Sequence, residues 1–503
     1  MHTSRRPGAF FIGLRLLPAF LLVSVTAVHA QEQRATLTIE EAIDLARKNN
    51  PDFQAQKNDA AVADWNVREA YGQLLPGASA STSFQYQASG PARFGIFTGA
   101  DLGVATTPEY YSSSYTLGLN YALSGSSLIA PGRAKADRRA TEATIDASQF
   151  LLDAAVTRQY LAVLRAQDAV ILTKQELERA RDNHALADAR VKVGAAIPME
   201  LKQAEVEVGR AEVNLLQAEN LVQTERLRLM QQLGLDMNRE VELTSTFNVF
   251  EATWSLEDLT QQAVSNHPNL VASRANVQAS HAGVKMARSA YLPSLSFSMG
   301  WSGYAREAGS TSGMIASAEQ GALAARQQCE FNNAVATGRV PGYPIACPSG
   351  VLTSEQRQQI ISGNDVFPFD YTRDPLGASL QISLPIFQGF TRERNVELAK
   401  ATSLDAEHRA RGEELRIKTD VATAYLNLKT AQQSVALETR GRDLASEQLN
   451  LARERYRLGA ASFLELQDAV TIKARADRAY LIAVYSFHES MAALEAAVGR
   501  NLQ

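Results

Sequence analysis

The chain has 503 residues, 45% of them hydrophobic, with 50 basic against 54 acidic side chains and a formal charge of −4. An acidic balance argues against nucleic acid as a partner, because phosphate binding needs a concentrated basic face. The hydrophobic content is that of a chain that can bury a sizeable core, and length alone allows more than one domain.

Residues 1–30 read as an export signal rather than as part of the fold. Arg5 and Arg6 form a basic start, Ala9 to Val28 is mostly apolar, and Val28-His29-Ala30 is a small-x-small cleavage site. A membrane anchor is the competing reading, but the apolar run contains Arg15 and Pro18 and no second hydrophobic span follows. No cysteine stands at the cleavage site, so an N-terminal lipid is not expected. Removal of the signal takes away Arg5, Arg6 and Arg15 and no acid, which moves the balance to 47 basic against 54 acidic and the net charge to −7. In an exported chain the only two cysteines, Cys329 and Cys347, read as one disulfide, with two free thiols as the alternative.

Beyond residue 30 the chain is organised by a duplication. Thr38-Ile39-Glu40-Glu41 corresponds to Ser255-Leu256-Glu257-Asp258 at an offset of 217, as do Asn49-Asn50-Pro51 to Asn266-His267-Pro268 and Leu75-Pro76 to Leu292-Pro293. Later the offset is 265: Tyr160-Leu161 meets Tyr425-Leu426, Val193-Gly194 meets Leu458-Gly459, and Gly234 meets Gly499. The change of 48 is an insertion in the second copy. The expected units are 31–250 for the first repeat and 251–503 for the second, with the insertion near 303–375.

Each copy opens with a helix. Thr38 with Glu41 and Ser255 with Asp258 fit a capping box, in which hydroxyl and carboxylate satisfy orphan backbone N–H groups. The helical region closes at Leu75-Pro76 and at Leu292-Pro293. Strands come next, with a period of two. Ala78, Ala80, Thr82, Phe84 and Tyr86 alternate with Ser79, Ser81, Ser83, Gln85 and Gln87. Tyr115, Leu117, Leu119, Tyr121 and Leu123 alternate with Thr116, Gly118, Asn120, Ala122 and Ser124. In the second copy Leu295, Phe297, Met299 and Trp301 form one run, and Leu380, Ile382, Leu384 and Ile386 form the other. Runs of about ten residues, apolar on one face and small or polar on the other, read as membrane β-barrel strands, although a soluble sandwich has the same alternation.

Long helices fill the remainder. There is no proline between Gly132 and Ile197, none between Met199 and His267, and none after Pro385. Val156, Val163, Val170 and Leu177 recur every seven residues, as do Leu437, Leu444, Leu451 and Leu458, which predicts left-handed coiled coil. A helix over 391–457 would be roughly 100 Å long at about 1.5 Å per residue.

Four strands cannot close a barrel, and an open sheet edge in hydrocarbon leaves backbone groups unpaired at several kcal/mol each. Barrels of the bacterial outer membrane start at about eight strands, so the chain must oligomerise: three chains give twelve strands and two give eight.

The order helix, strand, strand, long helix, turn, long helix, performed twice, resembles the TolC family of outer-membrane efflux proteins over residues 36 to 500. The sharpest match is Arg455-Tyr456-Arg457-Leu458-Gly459-Ala460-Ala461-Ser462-Phe463-Leu464-Glu465-Leu466, which looks like that family's R-Y-x-x-G-x-x-S-x-L-[DE]-L signature. The resemblance implies a mixed α and β fold, a homotrimer with a twelve-stranded outer-membrane β-barrel continued through the periplasm by a coiled-coil α-barrel. It implies the outer-membrane channel of a tripartite efflux pump or a type I secretion system, working with a periplasmic adaptor protein and an inner-membrane transporter and bathed by outer-membrane lipid. A structural or adhesive coiled-coil surface protein without a pore is the alternative. No catalytic constellation, metal-ligand spacing or cofactor motif stands out, so an enzyme is not expected.

Three groups are candidates for function. The turns at Val193-Gly194 and Leu458-Gly459 are implied to be the periplasmic tips that meet the adaptor, where glycine can leave one helix and enter the next. Glu465 and Asp468, three apart on one helix face, with Glu200 as the first-copy counterpart of Glu465, would form acidic rings at the entrance of a trimer. Solvated surface acids or plain structural hairpins are the bland alternatives. Ala461 stands where some relatives carry a basic latch, with Arg453, Arg455 and Arg457 close enough to substitute. The insertion, rich in Gly, Pro and Ser, is expected as an extracellular loop, because the chain enters its strands from the periplasmic side. A 329–347 bridge inside it would add roughly 3 kcal/mol in the chain-entropy model.

Overall fold

The computed structural model describes residues 35–502 apart from 91–92, 99–108, 237–240, 246–247 and 252, so the signal segment 1–30 lies outside the described residues. The chain starts with β1 (Ala35–Leu37), α1 (Ile39–Asn49) and α2 (Pro51–Gly72). Thr38 and Glu41 make the predicted reciprocal cap on α1. Where one opening helix was expected there are two, because Pro51 has no N–H to continue α1 and instead takes the first position of α2. Then come β2 (Gly77–Gln87), a small hairpin of β3 (Arg93–Phe94) and β4 (Phe97–Thr98), and β5 (Tyr110–Leu123). The long hairpin α3 (Gly125–Lys192) and α4 (Pro198–Leu233) ends at β6 (Val241–Leu243), which pairs in parallel with β1.

The second passage repeats the course: α5 (Leu256–Asn266), α6 (Pro268–Arg288), a single 3-10 turn (Ser289–Tyr291) and β7 (Ser294–Ala308). The insertion comes after β7, and it is not the bare loop its composition suggested. It contains α7 (Ser312–Ala336), α8 (Ser354–Ser362) and the short β8 (Thr372–Arg373). The bridge Cys329–Cys347 ties α7 to the segment before α8. After β9 (Gly377–Ser383) come α9 (Thr391–Arg457) and α10 (Phe463–Val498).

The four long strands form one antiparallel sheet in chain order, β2-β5-β7-β9, with β8 also on β7. The predicted alternations fall into common rows. Ala78, Leu119, Met299 and Ala378 are cross-strand partners, as are Tyr121, Phe297 and Leu380; the intervening rows place Asn120, Ser298 and Ser379 side by side. One face is therefore apolar and the other small and polar from edge to edge. β5 and β7 run several residues further from the helices than predicted. β9 is shorter than the run predicted to Ile386, because Pro385 cannot donate to a ladder. Among the described residues no helix is long and apolar enough to cross a membrane.

Each strand continues into a helix: α2 leads into β2, β5 into α3, α6 into β7 and β9 into α9. The helices pack in the same lateral order, α2-α3-α6-α9, and further along α4-α3-α10-α9. Two cores sit midway. One holds Ala46, Phe53, Leu152, Val156, Val163, Leu229 and Leu233, and the other holds Ala263, Leu270, Ile417, Val421, Leu428, Leu494 and Val498, residues related by the offsets of 217 and 265. The valine heptad of α3 is thus largely internal. The leucine heptad of α9, predicted to pack, lies on the outside of the single chain, with Leu444 59% and Leu451 66% exposed.

Candidate functional site

Apart from Cys329 and Cys347, which lie in the insertion, the sequence-predicted site residues gather at the hairpin ends remote from the sheet. The two turns have the same geometry. Gly194 (φ 75°) and Gly459 (φ 77°) adopt the left-handed conformation that only glycine takes without a Cβ clash. The next residue closes each turn, Ala195 N donating to Arg190 O and Ala460 N to Arg455 O, both at 2.8 Å. Each arginine also bonds the carbonyl of that residue, at 3.0 Å for Arg190 and 3.3 Å for Arg455. The tips leave large apolar side chains in solvent, Val193 and Leu458 among them, with Ile197, Met199 and Leu464 nearby.

The three acids are at this end but do not share one role. Tyr456 Oη donates to Glu200 at 2.8 Å, so Glu200 reaches across from the first hairpin to the second. Glu465 pairs with Arg455 of its own hairpin at 2.6 Å. Its amide is bonded to Ser462 Oγ at 3.2 Å. Asp468 is exposed and makes no ion pair among the described residues. Two arginines lie close to these residues. Arg455, one of the three arginines singled out in the sequence, makes the ion pair with Glu465. Arg190 does something the sequence did not suggest: its guanidinium lies 4.3 Å from the centre of the Tyr456 ring and donates to the Tyr456 carbonyl.

Tyr456 is the centre of this arrangement. It is buried among Ala187, Ala204, Phe463 and Leu466. Burial, and then the bond to Glu200, pushes its hydroxyl up to about 12, so it stays a neutral donor across the physiological range. Its first-copy counterpart is Val191, and that asymmetry was the signal by which Tyr456 could have been singled out.

Above the tip, a run of polar links joins α3 to α10 and α9. Arg165 pairs with Glu489 at 2.7 Å and Arg478 with Glu176 at 2.7 Å. Arg179 and Lys473 both meet the buried Asp477. Arg453 meets Asp182 at 3.3 Å, and Tyr485 donates to Asp168 at 2.6 Å. Apart from Lys473 and Asp477, which are four apart on α10, these partners are separated by roughly 270 to 320 positions and only folding reveals them. These charged and polar pairs bind the two hairpins side by side, next to the apolar cluster that spans them at the tip. At the other end of the helices, Arg392 donates to the carbonyls of Pro385 and Ile386 at 2.7 and 2.8 Å and fixes the passage from β9 into α9.

A sheet with one apolar and one polar face, extended by long helices to charged tips, is the form of a conduit wall. A family model, "Outer membrane efflux protein", matches residues 42–235 and 351–500. The chain belongs to that family. It is a TolC-like protein of the outer membrane, in a family of efflux channels rather than of enzymes. Among curated proteins it is 24% identical over 277 residues to the cobalt-zinc-cadmium resistance protein CzcC of Cupriavidus metallidurans, a match spanning 55% of this chain and 61% of that relative. The fold is that of several solved structures. A membrane protein from Pseudomonas aeruginosa superposes with a TM-score of 0.67 at 20% identity, covering 92% of this chain and 90% of the other. The CmeC outer membrane channel of Campylobacter jejuni gives 0.67 at 18%, covering 92% and 85%. The open state of the MtrE channel of Neisseria gonorrhoeae gives 0.64 at 17%, covering 92% and 89%.

Proposed function

We propose that three copies of this chain close into one continuous duct, twelve strands through the outer membrane and a coiled-coil barrel through the periplasm, through which a pump or secretion system exports its cargo. The observation that carries this reading is the four-stranded sheet. Its edge strands, β2 and β9, each pair on one side only among the described residues, and its apolar rows run unbroken between them. Hydrocarbon does not tolerate such edges, and β9 of one copy against β2 of the next removes all of them at once. The apolar face then meets lipid and the Ser-, Gly- and Asn-rich face lines the lumen. The exposed leucines of α9 become contacts between copies, and the two halves of the chain are two copies of one ancestral unit.

The tips, with Val193 and Leu458 exposed, are the docking points for a periplasmic adaptor that links the duct to an inner-membrane transporter. The entrance is held narrow by the Tyr456–Glu200 bond and the Arg190 stack inside each chain, with Asp468 the acid best placed to face the axis. This is a passive conduit whose cargo is selected by the inner-membrane partner, and a relative named for cobalt, zinc and cadmium resistance makes metal ions one class to try first. Conductance of the purified protein in a planar bilayer tests the reading. Discrete cation-preferring channels, blocked less by multivalent cations after Asp468→Ala, are expected. A folded protein that never conducts would leave the adhesive alternative standing.

A further inference from the structure

The polar face of the sheet changes chemistry from one end to the other. From the row of Asn120 to the row of Thr116, every position on that face is Gly, Ser, Thr or Asn, and none carries a charge. The end remote from the helices differs. Tyr304 and Arg306 follow Ser302 on the same face of β7, and Tyr110 of β5 stands one row beyond Arg306. The Arg306 guanidinium lies 3.6 Å from the centre of the Tyr110 ring. Stacking holds the cation along the wall without neutralising it. Arg306 is exposed and makes no ion pair among the described residues.

The opposite charge arrives from another part of the chain. Residues 364–374, returning from the insertion, cross the apolar face, where Phe367 meets Phe84 at 6.3 Å and Tyr111 at 5.7 Å between ring centres. They then join β7 through β8. Asp374 N donates to Ser302 O at 3.0 Å, and the Asp374 carboxylate accepts from Ser302 Oγ at 2.8 Å, which puts that carboxylate on the polar face. It too is exposed and without an ion pair among the described residues. The neighbouring charges belong to the other face. Glu307 accepts from Phe367 N at 2.9 Å, Glu109 accepts from Tyr111 Oη at 3.1 Å, and Arg373 stands opposite Gly303 in the apolar set.

Ser302, which holds Asp374, and Arg306 are four residues apart on one strand, roughly 13 Å at about 3.3 Å per residue. The screening length at physiological salt is about 8 Å, so the two act as separate fixed charges and not as a pair. We propose that Arg306 and Asp374 set the ion selectivity of the outer mouth. In the closed duct they form a basic ring at the rim and an acidic ring inside it, beyond a stretch of wall that carries no charge. A ring of fixed charge in a narrow pore with low-dielectric walls concentrates ions of the opposite sign, so an ion or charged cargo on its way out meets acid first and base last.

The proposal rests on the reading that the polar face lines a lumen, and two measurements on the assembled protein in planar bilayers separate them. Both native cysteines are held in the bridge, so an introduced cysteine is the free thiol. A cationic thiosulfonate reagent should change the conductance of Asn120→Cys and leave that of Leu119→Cys, on the other face, as it was. No effect at Asn120→Cys overturns the lumen and the proposal together. The reversal potential in a KCl gradient then reads the rings. Arg306→Ala should raise the cation-over-anion permeability ratio severalfold, and Asp374→Asn should lower it severalfold. Arg306→Lys, which keeps the charge and alters the stack on Tyr110, should leave the ratio unchanged, as should Gln85→Ala, an uncharged position in the row of Arg306. A ratio indifferent to Arg306→Ala or to Asp374→Asn, or moved as far by Arg306→Lys as by Arg306→Ala, would overturn the proposal while labelling at Asn120→Cys still upheld the lumen.

Discussion

The half of the chain from β1 to α4 and the half from α5 to α10 bury matching residues at their middles and part company around them. Val163 and Leu428, Leu152 and Ile417, and Leu229 and Leu494 occupy corresponding core positions. In the first half Tyr160 is fully buried and its hydroxyl bridges Leu37 O at 2.7 Å and Ser245 N at 3.2 Å, locking β1 beside β6. The second half has no such strand pair among the described residues. Tyr425 is only half-buried, and the space is filled by Phe250 stacked edge-on between Trp254 and Phe487. The helix junctions differ in the same spirit. Asn50 caps α2 and bonds Gln232 O at 2.9 Å, whereas His267 caps α6 and bonds Ala496 O at 3.2 Å. The comparison teaches that the scaffold is set by apolar spacing at the centre, while the helix junctions, the tips and the outer helix faces are written separately in each half.

Four changes break or sharpen that contrast. The largest effect is expected at the leucine stripe of α9, which has a mixed, partly charged counterpart on α3, with Arg179 standing where the second half has Leu444. Leu444→Glu with Leu451→Glu places charge on the surface assigned to neighbouring copies, and light scattering should find folded single chains in place of the assembly. Next is Phe487→Ala, which opens the second core at a fully buried aromatic and should cost about 3–5 kcal/mol. Val222→Ala, at the matching half-buried place, should cost far less, and thermal melting in detergent compares the two.

Tyr456→Phe comes third. It leaves Glu200 without its donor, a loss on the order of 1.5–3 kcal/mol for a bond to a charged group. It should raise single-channel conductance, while Val191→Ala at the corresponding place in the other tip should not. The smallest effect concerns pH. Burial holds His267 below the ordinary histidine value despite the nearby carboxylates Glu413 and Asp420, with Arg416 acting in the same direction as burial. The folded state thus binds fewer protons than the unfolded one. Its contribution is complete above the unfolded value of about 6.5 and is lost as pH falls through that value toward the folded one. Melting temperature should drop between pH 7 and pH 5, and His267→Asn, which copies Asn50, should flatten the drop. The residual slope comes from His488, which burial shifts the same way.

How much of this could be read from the sequence depends on the range of the interactions. Caps, proline breaks and period-two runs act over a few residues, so Thr38, Pro76 and the rows through Leu119 and Met299 were legible. Ser255 was expected to make a full capping box and makes half of one. Ser255 Oγ accepts from Asp258 N at 3.1 Å, but the shorter Asp258 side chain bonds the hydroxyl and not the backbone. The acids at the tip were found because a glycine turn announces the tip. Their partners were not, since Tyr456 and Glu200 are 256 positions apart and nothing local to either names the other. The packing of residues 364–374 across the apolar face of the sheet was illegible for the same reason. Phe367 and Phe369 lie in a Gly- and Pro-rich stretch that reads as solvent loop until Tyr111 and Phe84 are known to be opposite.

The central claim is that the open four-stranded sheet closes only with two other copies of itself. Mass measurement of the detergent-extracted, signal-free protein tests this most directly. The account predicts a complex of three chains, while a conducting species of one or two chains would contradict it.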